Sequence, residues 1–136
     1  QIVGTADLHP TADHAARIHA IRAATGPHSW INARTDVFLK AKPDTHDMAM
    51  VEAALTRAHA YAEAGASSLF APGLRDPALI TAFCDGCPLP VNILAFPGMV
   101  SRAELATCGV ARISHGPFPW KDAMKVVTDA ATAAME

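Results

Sequence analysis

The sequence predicts a parallel α/β fold, on three observations. A run from Ile31 to Phe38 alternates apolar and polar residues and ends in charge, so Asn32, Arg34 and Asp36 share one strand face while Ile31, Ala33 and Val37 share the other. Three further strand-like runs, Ala66–Ala71, Pro90–Ala95 and Val110–Ser114, each end in a Gly- or Pro-bearing loop leading towards a helix. A helix–glycine–strand junction recurs as Ala64-Gly65-Ala66 and Cys108-Gly109-Val110. Strands that alternate with helices imply a parallel sheet, whose chemistry sits at the C-terminal ends of the strands.

The elements follow in order from their punctuation. A first helix spans about Thr11 to Thr25, with Ala15, Ile18, Ile21 and Arg22 near helical spacing and Gly26-Pro27 as its stop. The strand from Ile31 comes next. A second helix runs from about Asp47 to Ala64, with Val51, Leu55, Ala58 and Tyr61 along one stripe and Gly65 as C-terminal cap. Asp76-Pro77 opens the third, the acid as N-cap and the proline at the first helical position. Ser101-Arg102-Ala103-Glu104 is a capping box for the fourth, which Gly109 ends. The fifth begins near Pro119 and runs to the C-terminus.

Composition narrows the function. A chain of 136 residues is one ordinary domain by size, and 51% hydrophobic residues suffice for a core. The net charge of −2, with no basic cluster beyond Lys40-Ala41-Lys42, argues against nucleic acid as partner. The longest apolar stretch, Val91–Met99, is broken by Asn92, Pro97 and Gly98 and is too short to cross a membrane. Gln1–Asp7 lacks a basic-then-apolar leader, and three cysteines are too few for a secreted scaffold, so a cytoplasmic location is expected.

The segments Ile31-Asn32-Ala33-Arg34-Thr35-Asp36, Tyr61–Ala66, Leu69-Phe70-Ala71-Pro72-Gly73, Val91–Ala95 and Gly109–Ser114 occur in the order found in the isocitrate lyase/phosphoenolpyruvate mutase superfamily, which the chain resembles over nearly its whole length. The resemblance implies strands five to eight of a (β/α)8 barrel. Residues 1–136 would thus be a single partial domain, the C-terminal half of a barrel that needs roughly 250 residues when whole. It implies an enzyme that makes or breaks C–C or C–P bonds beside a 2-oxo acid through an enolate-like intermediate on Mg²⁺. The family's Mg²⁺-binding acids and its Lys-Lys-Cys-Gly-His-type loop lie upstream, and nothing in Gln1–Pro10 matches them. The fragment alone is therefore expected to be inactive. The implied partner is a small 2-oxo acid or phosphonate substrate, with a homo-oligomer at full length.

By the same resemblance Arg34 is the catalytic and substrate-binding arginine, whose planar fork suits a carboxylate or phosphonate. The residues alone equally allow Arg34 to do no more than pair with Asp36. Asn92 and Ser114 are further substrate-binding candidates that polar packing in the barrel layers accounts for as well. Pro72-Gly73 stands where the isocitrate and methylisocitrate lyase branch carries a carboxylate, which points to a different branch.

Other patterns carry less. Cys84-Asp85-Gly86-Cys87 lies at a helix C-terminus, the wrong end for a redox pair, and Cys108 is too little to complete a zinc site. Seven histidines include no His-Glu-x-x-His; His115, just after the last strand, is the one placed near the strand ends. Two alternatives stay open. Pro97-Gly98 before Ser101, with Gly116-Pro117 before the last helix, could form the phosphate site of an aldolase-type barrel enzyme. A non-catalytic half-barrel that pairs with a partner is the other.

Overall fold

The computed structural model describes residues 7–135. In order these form α1 (Thr11–Thr25), β1 (Asn32–Arg34), a 3-10 turn (Pro43–Thr45), α2 (Met48–Glu63), β2 (Ser68–Phe70), α3 (Pro77–Gly86), β3 (Val91–Leu94), α4 (Arg102–Thr107), β4 (Arg112–Ser114) and α5 (Phe118–Ala133). The strands make one sheet in the order β1-β2-β3-β4, and every neighbouring pair is parallel. Arg34 pairs in register with Phe70, Phe70 with Asn92, and Asn92 with Arg112. All four strands therefore end on one rim, which also carries the loops that follow them.

The caps form as their chemistry dictates. Asp47 accepts the Met50 N–H at 2.9 Å, and Asp76 accepts those of Ala78 and Leu79. Ser101 and Glu104 complete a reciprocal capping box. The strands are shorter than the sequence patterns. The alternation from Ile31 to Phe38 survives as strand only to Arg34, because after Asp36 the chain turns and the Lys40 N–H closes on the Asp36 carbonyl. The turn swings Phe38 into the core against Phe83 and His46, with ring centroids 6.0 and 5.4 Å away. Val37, expected on the strand's helix-facing side, packs only partly against the core from this turn.

The sheet has two unlike faces. Ala33, Leu69, Val91 and Ile93 are buried against Val51, Ala54, Ala58 and Tyr61 of α2, Ile80 and Phe83 of α3 and Leu105 of α4. Each of the large apolar side chains among them contributes about 1.5–3 kcal/mol by leaving water. The alternate residues Asn32, Arg34, Ser68, Phe70, Asn92, Leu94 and Ser114 line the other face, mostly polar and bare of helices. α5 buries none of its residues, and Trp120 and Val127 stay 65% and 59% exposed. No helix among the described residues is long and apolar enough to cross a membrane.

One side chain ties the layers together. Arg22 of α1 donates from Nε and Nη2 to the Gly65 carbonyl (2.9 and 2.8 Å). Its Nη1 reaches the carbonyls of Gly26 (2.7 Å) and Ser29 (2.8 Å), and Nη2 also reaches Ser67 Oγ (2.9 Å). Gly65 has φ +96°, and a Cβ there would lie 2.9 Å from Arg22 Cγ, so the junction before β2 needs glycine for conformation and for space.

Candidate functional site

Arg34 closes β1 at the rim. Its strand neighbour Ala33 packs among the helices, so alternation places Arg34 on the open face with Asn32. Its Nε donates to Asp36 Oδ1 at 2.5 Å. The Arg34 side chain keeps 46% of its surface exposed, whereas that of Asp36 keeps 3%. The carboxylate is thus a buried anchor that aims a half-exposed guanidinium. The ion pair and an anion-binding role are compatible, because Nε holds Asp36 while the fork projects on from it. The guanidinium carbon also lies 5.9 Å from the Phe70 ring centroid. Phe70 therefore stands between Arg34 and Asn92 in the same row.

Asn92 and Ser114 meet directly, the serine hydroxyl donating to Asn92 Oδ1 at 3.1 Å. Asn92 is 1% exposed, and its Nδ2 has no hydrogen-bond partner among the described residues. Deeper in the same face, Trp30 Nε1 donates to Ser68 Oγ (2.9 Å), which donates to Asn32 Oδ1 (2.8 Å). That chain is satisfied internally and offers no chemistry.

The rim loops explain the Pro72-Gly73 pair. Pro72 is fully buried. Gly73 has φ +96°, and a Cβ there would lie 2.7–2.8 Å from the backbone of Phe38 and Leu39. Backbone cannot move aside as a flexible side chain can, so position 73 excludes any residue with a side chain, a carboxylate included. Beyond it, the Arg75 guanidinium lies 3.7 Å from the Phe96 ring centroid, and Phe96 packs on Phe118 at 5.4 Å. The loops after β2 and β3 are thereby joined to the start of α5. Sequence reasoning missed Phe70, Arg75, Phe96 and Phe118. Only the position of Arg75, just past a strand end, could have signalled it.

Other candidates fall outside this mouth. His115 is exposed and lines a groove of about 570 Å³ with Val100, Arg102 and Leu105 of the α4 segment, rather than turning to Asn92. Burial, then the neighbouring Cys87, Cys108 and Asp85, pushes the Cys84 thiol up to about 12, and burial raises Cys87 too. Both remain unreactive thiols at neutral pH, at the end of the sheet opposite the rim. For the implied Mg²⁺, the described residues provide no cluster of three or more His, Cys, Asp or Glu side chains, so they do not fit the ion.

Comparison with known proteins follows the same line. Residues 2–135 match the family described as phosphoenolpyruvate phosphomutase. An uncharacterized protein of Mycobacterium tuberculosis is 34% identical over 123 residues, which cover 90% of this chain and 45% of that protein. A crystal structure from Burkholderia cenocepacia J2315, provisionally named a phosphonomutase, superposes with a TM-score of 0.94 at 47% identity, over 98% of this chain and 55% of that one. The structure of 2,3-dimethylmalate lyase, a PEP mutase/isocitrate lyase superfamily member, has a TM-score of 0.75 at 22% identity, over 93% of this chain and 44% of that one, and shows the shared fold. The chain thus spans about half the length of these relatives, and its four parallel strands with their helices match half of a (β/α)8 barrel. A parallel sheet in sequential order, an arginine presented at its C-terminal rim and a family match over residues 2–135 agree: the chain belongs to the phosphoenolpyruvate phosphomutase family.

Proposed function

We propose that this chain supplies the substrate-anion-binding half of a lyase or mutase acting on a C–C or C–P bond next to a 2-oxo acid, through an enolate-like intermediate. The observation that carries it is the half-exposed Arg34 guanidinium, aimed at the open rim by the buried Asp36 carboxylate. A guanidinium there binds a carboxylate or phosphonate by two parallel hydrogen bonds and stays in place as negative charge builds on the neighbouring enolate. Because Asp36 fixes Nε beforehand, little reorganisation is needed when that charge develops. Asn92 and Ser114, joined by their own hydrogen bond, are the further substrate-binding candidates of this proposal. Magnesium belongs to this proposal only as an ion held by residues outside 7–135, and no part of the Arg34 role passes through it. A cytoplasmic enzyme, homo-oligomeric at full length, completes the proposal.

Two tests bear on it. The purified 136-residue chain, given Mg²⁺, should turn over no 2-oxo acid or phosphonate, since it brings the arginine without a metal-ligand cluster among the described residues. Joined to the first half of a barrel and active, the protein should lose about 100-fold or more in kcat/KM on Arg34→Lys, as happens when one oxyanion-stabilising donor is removed. Unchanged kcat/KM in that variant would show that Arg34 only pairs with Asp36. The phosphate-binding aldolase alternative gains no support from the rim. Glu104 already places its carboxylate on the Ser101 N–H at 2.8 Å, and α5 opens with Pro117-Phe118-Pro119, two of which lack an N–H.

A further inference from the structure

We infer that His46 is a positioning residue for Arg34, holding in place the turn from which Asp36 aims the guanidinium. The inference rests on the Arg34 reading above and adds a residue that the strand pattern does not reach. β1 ends at Arg34, and the Thr35 N–H makes one more bond to the sheet, to the Phe70 carbonyl at 3.0 Å. Asp36 lies just past that bond, so the turn it opens sets its place. Its carbonyl accepts the Lys40 N–H at 3.0 Å, while its buried carboxylate holds Arg34 Nε. A displacement of the turn therefore carries the carboxylate, and Arg34, with it.

The turn is held at Phe38. The Phe38 ring is fully buried against Phe83, and its carbonyl accepts the Ala41 N–H at 3.4 Å and His46 Nε2 at 2.9 Å. A carbonyl only accepts, so this ring nitrogen of His46 carries a proton. The bond from His46 is the shorter of the two, and its imidazole also packs edge-on to the Phe38 ring, 5.4 Å between centroids. Gly73 comes against the same peptide, close to Phe38 C and Leu39 N. Between the turn and His46, residues Lys42 to Thr45 are exposed, and Thr45 spends its N–H and Oγ1 on the Lys42 carbonyl within the 3-10 turn. His46 is thus the side chain by which this rim loop returns to the turn. It acts through the backbone from Phe38 to Asp36, so its effect falls on the orientation of Arg34.

Asparagine and glutamine at position 46 test this, since the glutamine amide N–H reaches where His46 Nε2 lies and the asparagine amide falls one methylene short. In the isotope-labelled chain followed by NMR, the Arg34 Nε–H, identified by its loss in Arg34→Lys, should exchange slowly with water because Asp36 holds it. His46→Asn should raise that rate by about fivefold or more, the size of one hydrogen bond, and His46→Gln should leave it near native. The Leu69 and Ile93 backbone amides, inside the sheet, are the control, because a general loss of stability would speed them as well. Methylphosphonate titrated into the same samples should bind more weakly to His46→Asn and normally to His46→Gln. Unchanged Arg34 Nε–H exchange in His46→Asn, or a rise shared equally by Leu69 and Ile93, would overturn the inference and leave the Arg34 reading standing. Methylphosphonate that binds the native chain no more tightly than Arg34→Lys would overturn the Arg34 reading and this inference with it.

Discussion

Replacing Arg22 should destabilise the chain more than its sequence position suggests. Its guanidinium makes five hydrogen bonds to four acceptors, the Gly65, Gly26 and Ser29 carbonyls and Ser67 Oγ, at 2.7–2.9 Å. These acceptors lie up to 45 residues away in sequence and join the C-terminus of α1 to the α2–β2 junction. Hydrogen bonds from a charged donor are worth about 1.5–3 kcal/mol each when well made. The side chain is only half-buried and the bonds share one donor group, so about 1 kcal/mol per acceptor, or roughly 4 kcal/mol for Arg22→Ala, is the working figure. Arg22→Lys keeps the charge and loses the planar fork, and should cost about half of that. Against a stability of about 5–15 kcal/mol for a small domain, the alanine variant stands close to unfolding.

Urea titration followed by circular dichroism reads this directly. With a slope near 1.5–2 kcal/mol per molar, the midpoint should fall by about 2 M for Arg22→Ala and about 1 M for Arg22→Lys, the slope itself unchanged. Protein concentration must be held low and constant, because self-association would raise the midpoint by mass action. Midpoints for the lysine variant within about 0.3 M of the native chain would refute the reasoning, since charge alone would then account for the bonds.

Gly73→Ala should be severely destabilising, by about 2–4 kcal/mol, because the new Cβ meets fixed backbone and the residue must hold a positive φ; a melting temperature within a few degrees of native would contradict it. His14 stacks on Tyr61 at 4.8 Å, and burial first, then Arg17, His9 and Arg57, lowers its pKa below the usual 6.5. The folded state therefore resists a proton that the unfolded chain accepts, so this contribution is complete above pH 6.5 and is lost as pH falls through the lowered folded value; His14→Gln should flatten that slope in urea midpoints taken from pH 7.5 to 5. The outer edges of β1 and β4, unpaired among the described residues, should make the isolated chain associate, so a sharply melting species that runs as a monomer on sizing chromatography would count against an open sheet.

Much of the architecture was legible because it is local. Capping residues such as Asp76 and Ser101 act within three residues of their own position, and the structure shows both capping as the sequence implies. Strand lengths were not, because alternation persists into a turn whenever the turn happens to place apolar residues at the right spacing. Phe38 is such a residue: its pattern reads as strand, and the Asp36–Lys40 turn sends it into the core instead. The placement of Arg34 on the face opposite Ala33 followed from strand period alone, and its pairing with Asp36 was one of the two arrangements the residues allowed.

What stayed hidden is what depends on side-chain reach between distant segments. Nothing near Arg22 announces that Gly65 and Ser67 will supply its acceptors, and its helical spacing reads equally well as a surface position. Arg75 is hidden for the same reason: its partner Phe96 belongs to a loop one β-strand away, and an arginine beside Asp76 looks like ordinary surface charge until the ring is seen beneath it. Pro72-Gly73 lies between these cases. The pair was visible as a departure from the carboxylate-bearing branch, but its cause is the approach of the Phe38–Leu39 backbone. That cause makes the departure more than a missing acid. A rim loop this close to its neighbour cannot regain a carboxylate at position 73 without moving the Phe38–Leu39 backbone.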